Sequence, residues 1–286
     1  MKYSFFIVCL CFISSVFAQK KEAYVIFNAN GKKVSYERLE KAVSKKKIVL
    51  FGELHNDPIA HWLQYELLCA LYAQHSSALK AGSEMFERHQ QEYLNDFLQG
   101  KITAGVFKDT TKLWANFTTD YLPMLEFAKT NQIPWIATNI TRKYASQLFK
   151  QGRASLDTLS DEEKKLMAPL DFPVDLTLSQ YDNLLKGFSH AGENFVYAQA
   201  IKDATMAESI VKALQPSTVF YHLNGAYHTD FHQGIVWYIH YYGKIPYDDM
   251  ITISTVNQAS LKKLEKEYKG KADFIICTPE TMTKTH

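Results

Sequence analysis

Glu53 and His55 stand two residues apart, just past the apolar run Ile48–Phe51. If the chain stays extended there, both side chains point to the same side, because successive residues of an extended chain alternate faces. Glu84 follows the run Leu79–Ser83, and His228 comes shortly after Asn224, which ends the run Val219–Leu223. His61 lies six residues beyond His55, on the first turns of the next helix. Together, Glu53, His55, Glu84 and His228 make a His/carboxylate set with two chemistries open to it. One is a divalent metal on Glu53, His55 and His228, polarising a carbonyl or acidifying a bound water. The other is metal-free hydrolysis of esterase or peptidase type, with His55 as general base oriented by Glu53 or Glu84. The spacing is neither that of a zinc finger nor that of a His-Glu-x-x-His helix. A structural reading stays open beside them. Gly52 and Gly225 would then serve tight turns, the buried His and Glu would pair, and Asn139 and Asn224 would cap the helices that follow.

The elements that must position these residues alternate in type. Short apolar runs, read as strands, are Tyr24–Phe27, Ile48–Phe51, Leu79–Met85, Trp135–Ala137, Val219–Leu223, Ile251–Ser254 and Phe274–Cys277. Segments of helical period lie between them, including His61–Gln74, Gln90–Gln99, Tyr121–Asn131 and Arg142–Gln151. Such alternation predicts an α/β fold with a mostly parallel sheet flanked by helices on both faces. In open parallel sheets, ligands bind beyond the carboxyl ends of the strands. Four strand ends carry the unusual polar residues here: Gly52, Glu53, His55 and Asp57; Glu84, Glu87 and Arg88; Asn139 and Arg142; Asn224, Gly225 and His228. They predict one convergent site. From about Ala154 to Leu214 no strand is expected. Ser160-Asp161-Glu162-Glu163 reads as a capped helix start, and Phe195–Leu214 keeps a helical period, so 154–214 is expected to be a small helical subdomain. Residues 19–153 and 215–286 would form the α/β domain.

The 286-residue chain is long enough for a full core, and its 47% apolar and 22% charged residues are ordinary for a globular protein. Met1-Lys2, the apolar stretch Tyr3–Phe17 and the small residues Val16 and Ala18 before Gln19 read as a signal peptide spanning 1–18. Cys9 and Cys11 lie within it, but Val8 and Leu10 stand where a lipidation motif wants a small residue. Cys69 and Cys277 remain, too few for a disulfide framework. The formal net charge of +2 falls by one with Lys2, and gives no reason to expect nucleic acid. His75, His89, His222, His232, His240 and His286 are assigned no functional role.

Taken in order, Gly52-Glu53-Leu54-His55 with His61, Glu84-Met85-Phe86-Glu87-Arg88, Trp114, Tyr121-Leu122-Pro123, Ala137-Thr138-Asn139, Gln199, Asp203-Ala204-Thr205-Met206-Ala207 and Asn224-Gly225-Ala226-Tyr227-His228 form a fairly specific set. This set resembles the ChaN-like family of bacterial haem-binding, iron-regulated proteins, which is similar in fold to Tiki proteases and erythromycin esterases. The resemblance runs from about Ile48 to Gly234. It implies haem as cofactor, a tyrosine ligand to iron, haem held at a homodimer interface, and a role in iron acquisition with an outer-membrane haem receptor as partner. It also implies a periplasmic or outer-membrane-associated location, often with a lipid anchor, for which the leader here lacks the motif. The helical segment offers Tyr181 and Tyr197 as iron ligands, with His190 nearby, since tyrosinate is a known axial ligand of ferric haem.

Overall fold

The apolar runs become strands because each is covered on both sides. β3 (Ile48–Glu53) is buried at all six positions. Its side chains divide by alternation, Val49 and Phe51 entering one hydrophobic core, Ile48 and Leu50 the other. A strand with two apolar faces belongs inside a parallel sheet, where crossover helices shield both surfaces. The computed structural model describes residues 21–187 and 192–286. The leader expected at 1–18 and the haem-ligand candidate His190 lie outside the described residues.

The other strands are β1 (Val25–Asn28), β2 (Lys33–Val34), β4 (Leu79–Glu87), β5 (Trp135–Asn139), β6 (Val219–Gly225), β7 (Met250–Gln258) and β8 (Phe274–Pro279). They form one sheet in the order β2-β1-β8-β7-β3-β6-β4-β5. All pairs from β8 to β5 are parallel, whereas β1 runs antiparallel to β2 and β8 at one edge. The fold is therefore α/β with a mostly parallel sheet, as the alternation predicts.

On the first face, α1 (Tyr36–Val43), α2 (Pro58–His75), α3 (Gln91–Leu98), α4 (Ala104–Thr111) and α5 (Leu122–Thr130) share a core with Val49, Phe51, Tyr221 and Leu223. On the second, α6 (Arg142–Gln151), α9 (Gly192–Ala213) and α10 (Ile235–Gly243) pack over Ile48, Leu50 and Phe220. Between α6 and α9 lie the short α7 (Asp161–Lys164) and α8 (Ser179–Gly187). The described residues of 154–214 contain no strand. α7 starts at Ser160 with a reciprocal capping box to Glu163, which satisfies two backbone donors that a helix start leaves without partners. The stripe Val196, Ile201, Met206 and Ile210 of α9 is buried. No helix among the described residues is long and apolar enough to cross a membrane.

Local chemistry fixes the entry into α2, which sets the path of the Leu54–Asp57 loop. Asp57 Oδ1 accepts from the N–H groups of Ile59 and Ala60 at 3.1 Å each, and Pro58 occupies the first helical position. There its missing N–H costs nothing.

Candidate functional site

Odd-numbered residues of β3 face the α2 side, so Glu53, at the strand's carboxyl end, turns towards α2 and α5. Its Oε2 accepts from Gln64 Nε2 at 2.6 Å, and its Oε1 from His55 Nδ1 at 2.9 Å and from the Tyr121 hydroxyl. Burial alone would push this carboxyl up, but His55, His61 and the Tyr121 hydroxyl outweigh it and hold the pKa below the ordinary value. Glu53 therefore stays ionised, and its job is to aim His55. The His55 loop is fixed from behind. The backbone oxygen of His55 accepts from His61 Nε2 at 3.1 Å and Asn116 Nδ2 at 2.8 Å, and its ring meets Trp114 edge-on at 4.7 Å. With Nδ1 committed to Glu53, Nε2 has no hydrogen-bond partner among the described residues; the side chain is 43% exposed and lies beside Gly225. Burial lowers the His55 pKa, but the hydrogen bond to Glu53 and the charge of Glu84 reverse this and raise it.

The second half of the cluster is buried. β4 shifts register against β5 between Ser83 and Glu87, and irregularities of this kind re-aim side chains next to sites. Glu84 Oε2 accepts from the Gly225 N–H at 2.7 Å, and Oε1 lies 3.2 Å from His228 Nε2. The opposite ring nitrogen of His228 bonds to Asp203 Oδ1, and the other oxygen of Asp203 accepts from the Tyr181 hydroxyl at 2.7 Å. Two carboxylates accept, so both ring nitrogens of His228 donate and the ring is a cation. Burial alone would lower its pKa, but Glu84 and Asp203 raise it to about 10. For Glu84, burial is outweighed by His228, and its pKa is held well below the ordinary carboxylate value. At Asp203, burial prevails over the pull of His228 and raises the pKa.

Glu53, His55, Glu84 and His228, from three separate stretches of the sequence, thus meet at one sheet edge. They face a cleft of about 750 Å³, with Glu53, His55 and His228 in its lining next to Gln199, Gly225, Tyr227, Val256 and Lys271. Glu84 touches the cleft only through His228 and Gly225. The metal alternative does not fit this arrangement. Among the described residues, no group of three or more His, Cys, Asp or Glu side chains is arranged to hold a metal ion. The reason is visible in the bonds. Both nitrogens of His228 point at carboxylates, and Nδ1 of His55 points at Glu53, so too few lone pairs converge.

The tyrosines chosen from the helical segment stand elsewhere. Tyr181 is 1% exposed, its phenol spent on Asp203, and burial next to that carboxylate pushes its pKa well above the ordinary value. Tyr197 bonds to Glu193 on its own helix and lies over Arg153, outside the cleft lining. Two tyrosines line the cleft among the described residues: Tyr227, beside His228 and 37% exposed, and Tyr268, whose hydroxyl donates to the Asn257 carbonyl at 3.2 Å. The position of Tyr227 inside the Asn224–His228 motif was the signal available for it. Asp203 and Gln199 also lay in the quoted motifs, but nothing in their spacing tied them to His228. Of the remaining strand-end residues, Asn224 staples its turn through Gly225 O at 2.9 Å and Thr229 Oγ1 at 3.1 Å. Arg88 clamps α9 through Glu208, Ser209 and the Thr205 carbonyl. His222 is a buried neutral ring, its pKa lowered by burial to about 4, paired with Asn224 and Thr138.

A family model described as haem-binding uptake, Tiki superfamily, ChaN, matches residues 39–239. No curated protein matches the chain. Among solved structures, ChaN of Campylobacter jejuni, which binds haem cofacially, superposes with a TM-score of 0.64 at 17% identity, covering 88% of this chain and 96% of that one. An erythromycin esterase mutant in its open conformation gives 0.52 at 12% identity over 93% of this chain and 99% of its own. A Bacillus cereus protein gives 0.51 at 11% identity over 85% and 90%. At these identities the likenesses establish the shared fold. With the family model matching well more than half of the chain, this chain belongs to the ChaN family of haem-binding uptake proteins in the Tiki superfamily.

Proposed function

We propose that this protein binds ferric haem in the cleft at the carboxyl ends of β3, β6 and β7, as a haem-acquisition protein of the bacterial cell envelope. The observation that carries the reading is the donor set on the cleft wall. Tyr227, 37% exposed, and the half-exposed His55, with Nε2 unpartnered among the described residues, lie in the same lining. Phenolate and imidazole are the side chains that ligate haem iron in proteins of this chemistry. The cleft volume of about 750 Å³ lies within the range of cofactor pockets, and Leu54, Ala226, Val256 and Tyr268 give it apolar wall.

Tyr227 and His55 would hold the group, and bound iron would supply a Lewis-acidic centre that replaces the phenolic proton. Tyr227 now bonds to the Gln180 carbonyl. Burial and the neighbouring Asp203 and Asp230 push its pKa up, so the phenol keeps its proton until a cation takes its place. Tyr227 therefore takes over the ligand role given in the sequence reading to Tyr181 and Tyr197. Glu53 fixes the His55 tautomer with the proton on Nδ1, which leaves Nε2 as the lone-pair nitrogen whenever the ring is neutral. The mouth of the cleft is open, and a second copy of the chain bringing its own haem would cover the exposed face. The test is titration of residues 19–286 with ferric haem, followed by absorption and sedimentation. A saturable tyrosinate-type spectrum, lost in Tyr227→Phe, is expected; a linear, non-saturating response in the parent protein would sink the reading.

A hydrolase is the second reading. It rests on one observation, the ionised Glu53 holding Nδ1 of the cleft-lining His55 at 2.9 Å and leaving Nε2 without a hydrogen bond among the described residues, which is the arrangement of an oriented general base. An esterase and peptidase screen of the parent and of His55→Ala decides it, and turnover that is absent or indifferent to His55 removes it.

A further inference from the structure

Three consecutive residues at the start of α8 are bonded to the elements that build the cleft. The Ser179 hydroxyl accepts from Gln233 Nε2 at 2.9 Å, and the Gln180 N–H donates to Gln233 Oε1 at 2.9 Å. Gln180 Nε2 donates to the Tyr227 carbonyl at 3.3 Å, and the Gln180 carbonyl accepts from the Tyr227 hydroxyl at 2.5 Å. The Tyr181 hydroxyl donates to Asp203, the carboxylate that also holds His228. Tyr227 and Gln233 both belong to the short turns that follow β6. One stretch of chain thus supplies cleft wall through Tyr227 and grips α8 at the same time.

Towards α8, the Tyr227 phenol acts as a donor. A hydroxyl has one proton to give, and Tyr227 spends it on the Gln180 carbonyl. A phenolate that ligates a metal has no such proton, and beside a carbonyl oxygen it sets one acceptor against another. The two states are mutually exclusive: Tyr227 either fastens α8 or ligates. The bonds from Gln233 and Asp203 do not involve the phenol, so they keep α8 in place while its first turn loosens. The effect is one net hydrogen bond, about fivefold in the equilibrium for local opening of the helix.

We propose that Tyr227 is a latch on α8, released when its phenolate ligates ferric haem, so that the looseness of this helix reports whether the cleft is loaded. The proposal rests on the haem-binding reading above. Coupling between two sites is reciprocal, which adds a second expectation. Whatever loosens α8 by another route makes the Tyr227 phenol easier to withdraw and strengthens haem binding. Gln233 supplies that route, because it holds Ser179 and Gln180 and lies outside the cleft lining.

The experiment is amide hydrogen exchange across α8 in the mature protein, Tyr227→Phe and Gln233→Leu, each with and without ferric haem, alongside a haem titration of all three. Without haem, Tyr227→Phe should speed exchange of the α8 amides about fivefold, the size of one net hydrogen bond. Ferric haem should produce the same acceleration in the parent and none in Tyr227→Phe. Gln233→Leu should bind haem more tightly than the parent, by up to about fivefold through the same coupling. A parent that binds haem saturably while its α8 exchange stays unchanged or slows overturns the latch and leaves haem binding intact. Haem-free Tyr227→Phe with the parent's α8 exchange overturns it as well, as does equal or weaker haem affinity in Gln233→Leu, since losing a merely structural contact would not raise affinity. If the parent binds no haem saturably, the haem-binding reading fails and the coupling falls with it.

Discussion

At the scale of single residues, His228 is the keystone of the buried half of the site. Its ring is a cation between Glu84 and Asp203, and each of the three is buried. Removing one partner from a buried ionic group leaves the others uncompensated and costs about 3–5 kcal/mol. His228→Gln should lower stability to urea at pH 7 by that order, and an unchanged midpoint would show that the site relaxes around the missing charge. The pH dependence has a definite sign. The folded-state pKa is raised from 6.5 to about 10, so the folded protein binds more protons than the unfolded chain between those values. The stabilisation is fully present below pH 6.5 and is lost as pH rises through about 10. The parent should therefore lose stability over that window, and His228→Gln should show a flatter profile there. Legibility at this scale followed distance along the chain. Glu53 and His55 are two residues apart at a strand end, where alternation relates them. Asp203 meets His228 across 25 positions, and no local pattern records that. Nor does any local pattern record that the Tyr181 hydroxyl is taken by Asp203, a carboxylate on the neighbouring helix.

At the scale of elements, the strands were legible because parallel strands buried on both faces are uninterrupted apolar runs. The two-residue β2 was not, being too short to carry a pattern. α10 begins Ile235-Val236-Trp237-Tyr238-Ile239, a β-branched and aromatic composition in which a helical period does not stand out. Two glycines at adjacent strand ends separate structural from functional need. A Cβ at Gly52 would lie 2.8 Å from the Ala226 Cα and 3.0 Å from the Ile253 carbonyl oxygen, both backbone atoms. Backbone of β7 and of the turn that follows β6 yields only by moving main chain, so Gly52→Ala should cost about 1–3 kcal/mol of stability, as overpacking does. At Gly225 the added carbon would meet His55 Cε1 at 2.9 Å and Nε2 at 3.0 Å. That ring is half exposed and can swing away. Gly225→Ala should keep most of its stability and lose ligand affinity through the displaced His55. Denaturation and haem titration of both variants check the contrast, and two variants with the same profile would refute it.

At the scale of the whole molecule, the cleft exists only when distant parts of the chain are in register. Its lining draws on Glu53 and His55 from the first third, Gln199 from the long helix, Tyr227 from the β6 loop and Asn257 from β7, together with His286. The two hydrophobic cores on either side of the sheet position different subsets of these residues, the α2 side holding Glu53 and the α9 side holding Asp203 and Gln199. A ligand of this cleft therefore binds the folded chain and has no counterpart site in the unfolded one. Such a ligand stabilises folding by about 2.7 kcal/mol when present at 100 times its dissociation constant. Ferric haem should raise the thermal midpoint of the parent protein, and Tyr227→Phe and His55→Ala should each reduce the shift at equal haem. If a second copy closes the open mouth, the haem-dependent shift should also grow with protein concentration, because dimerisation then adds its own mass-action term. Sedimentation at the same concentrations separates the alternatives. A shift that is concentration-independent, with a monomer throughout, would mean that one chain satisfies the haem alone.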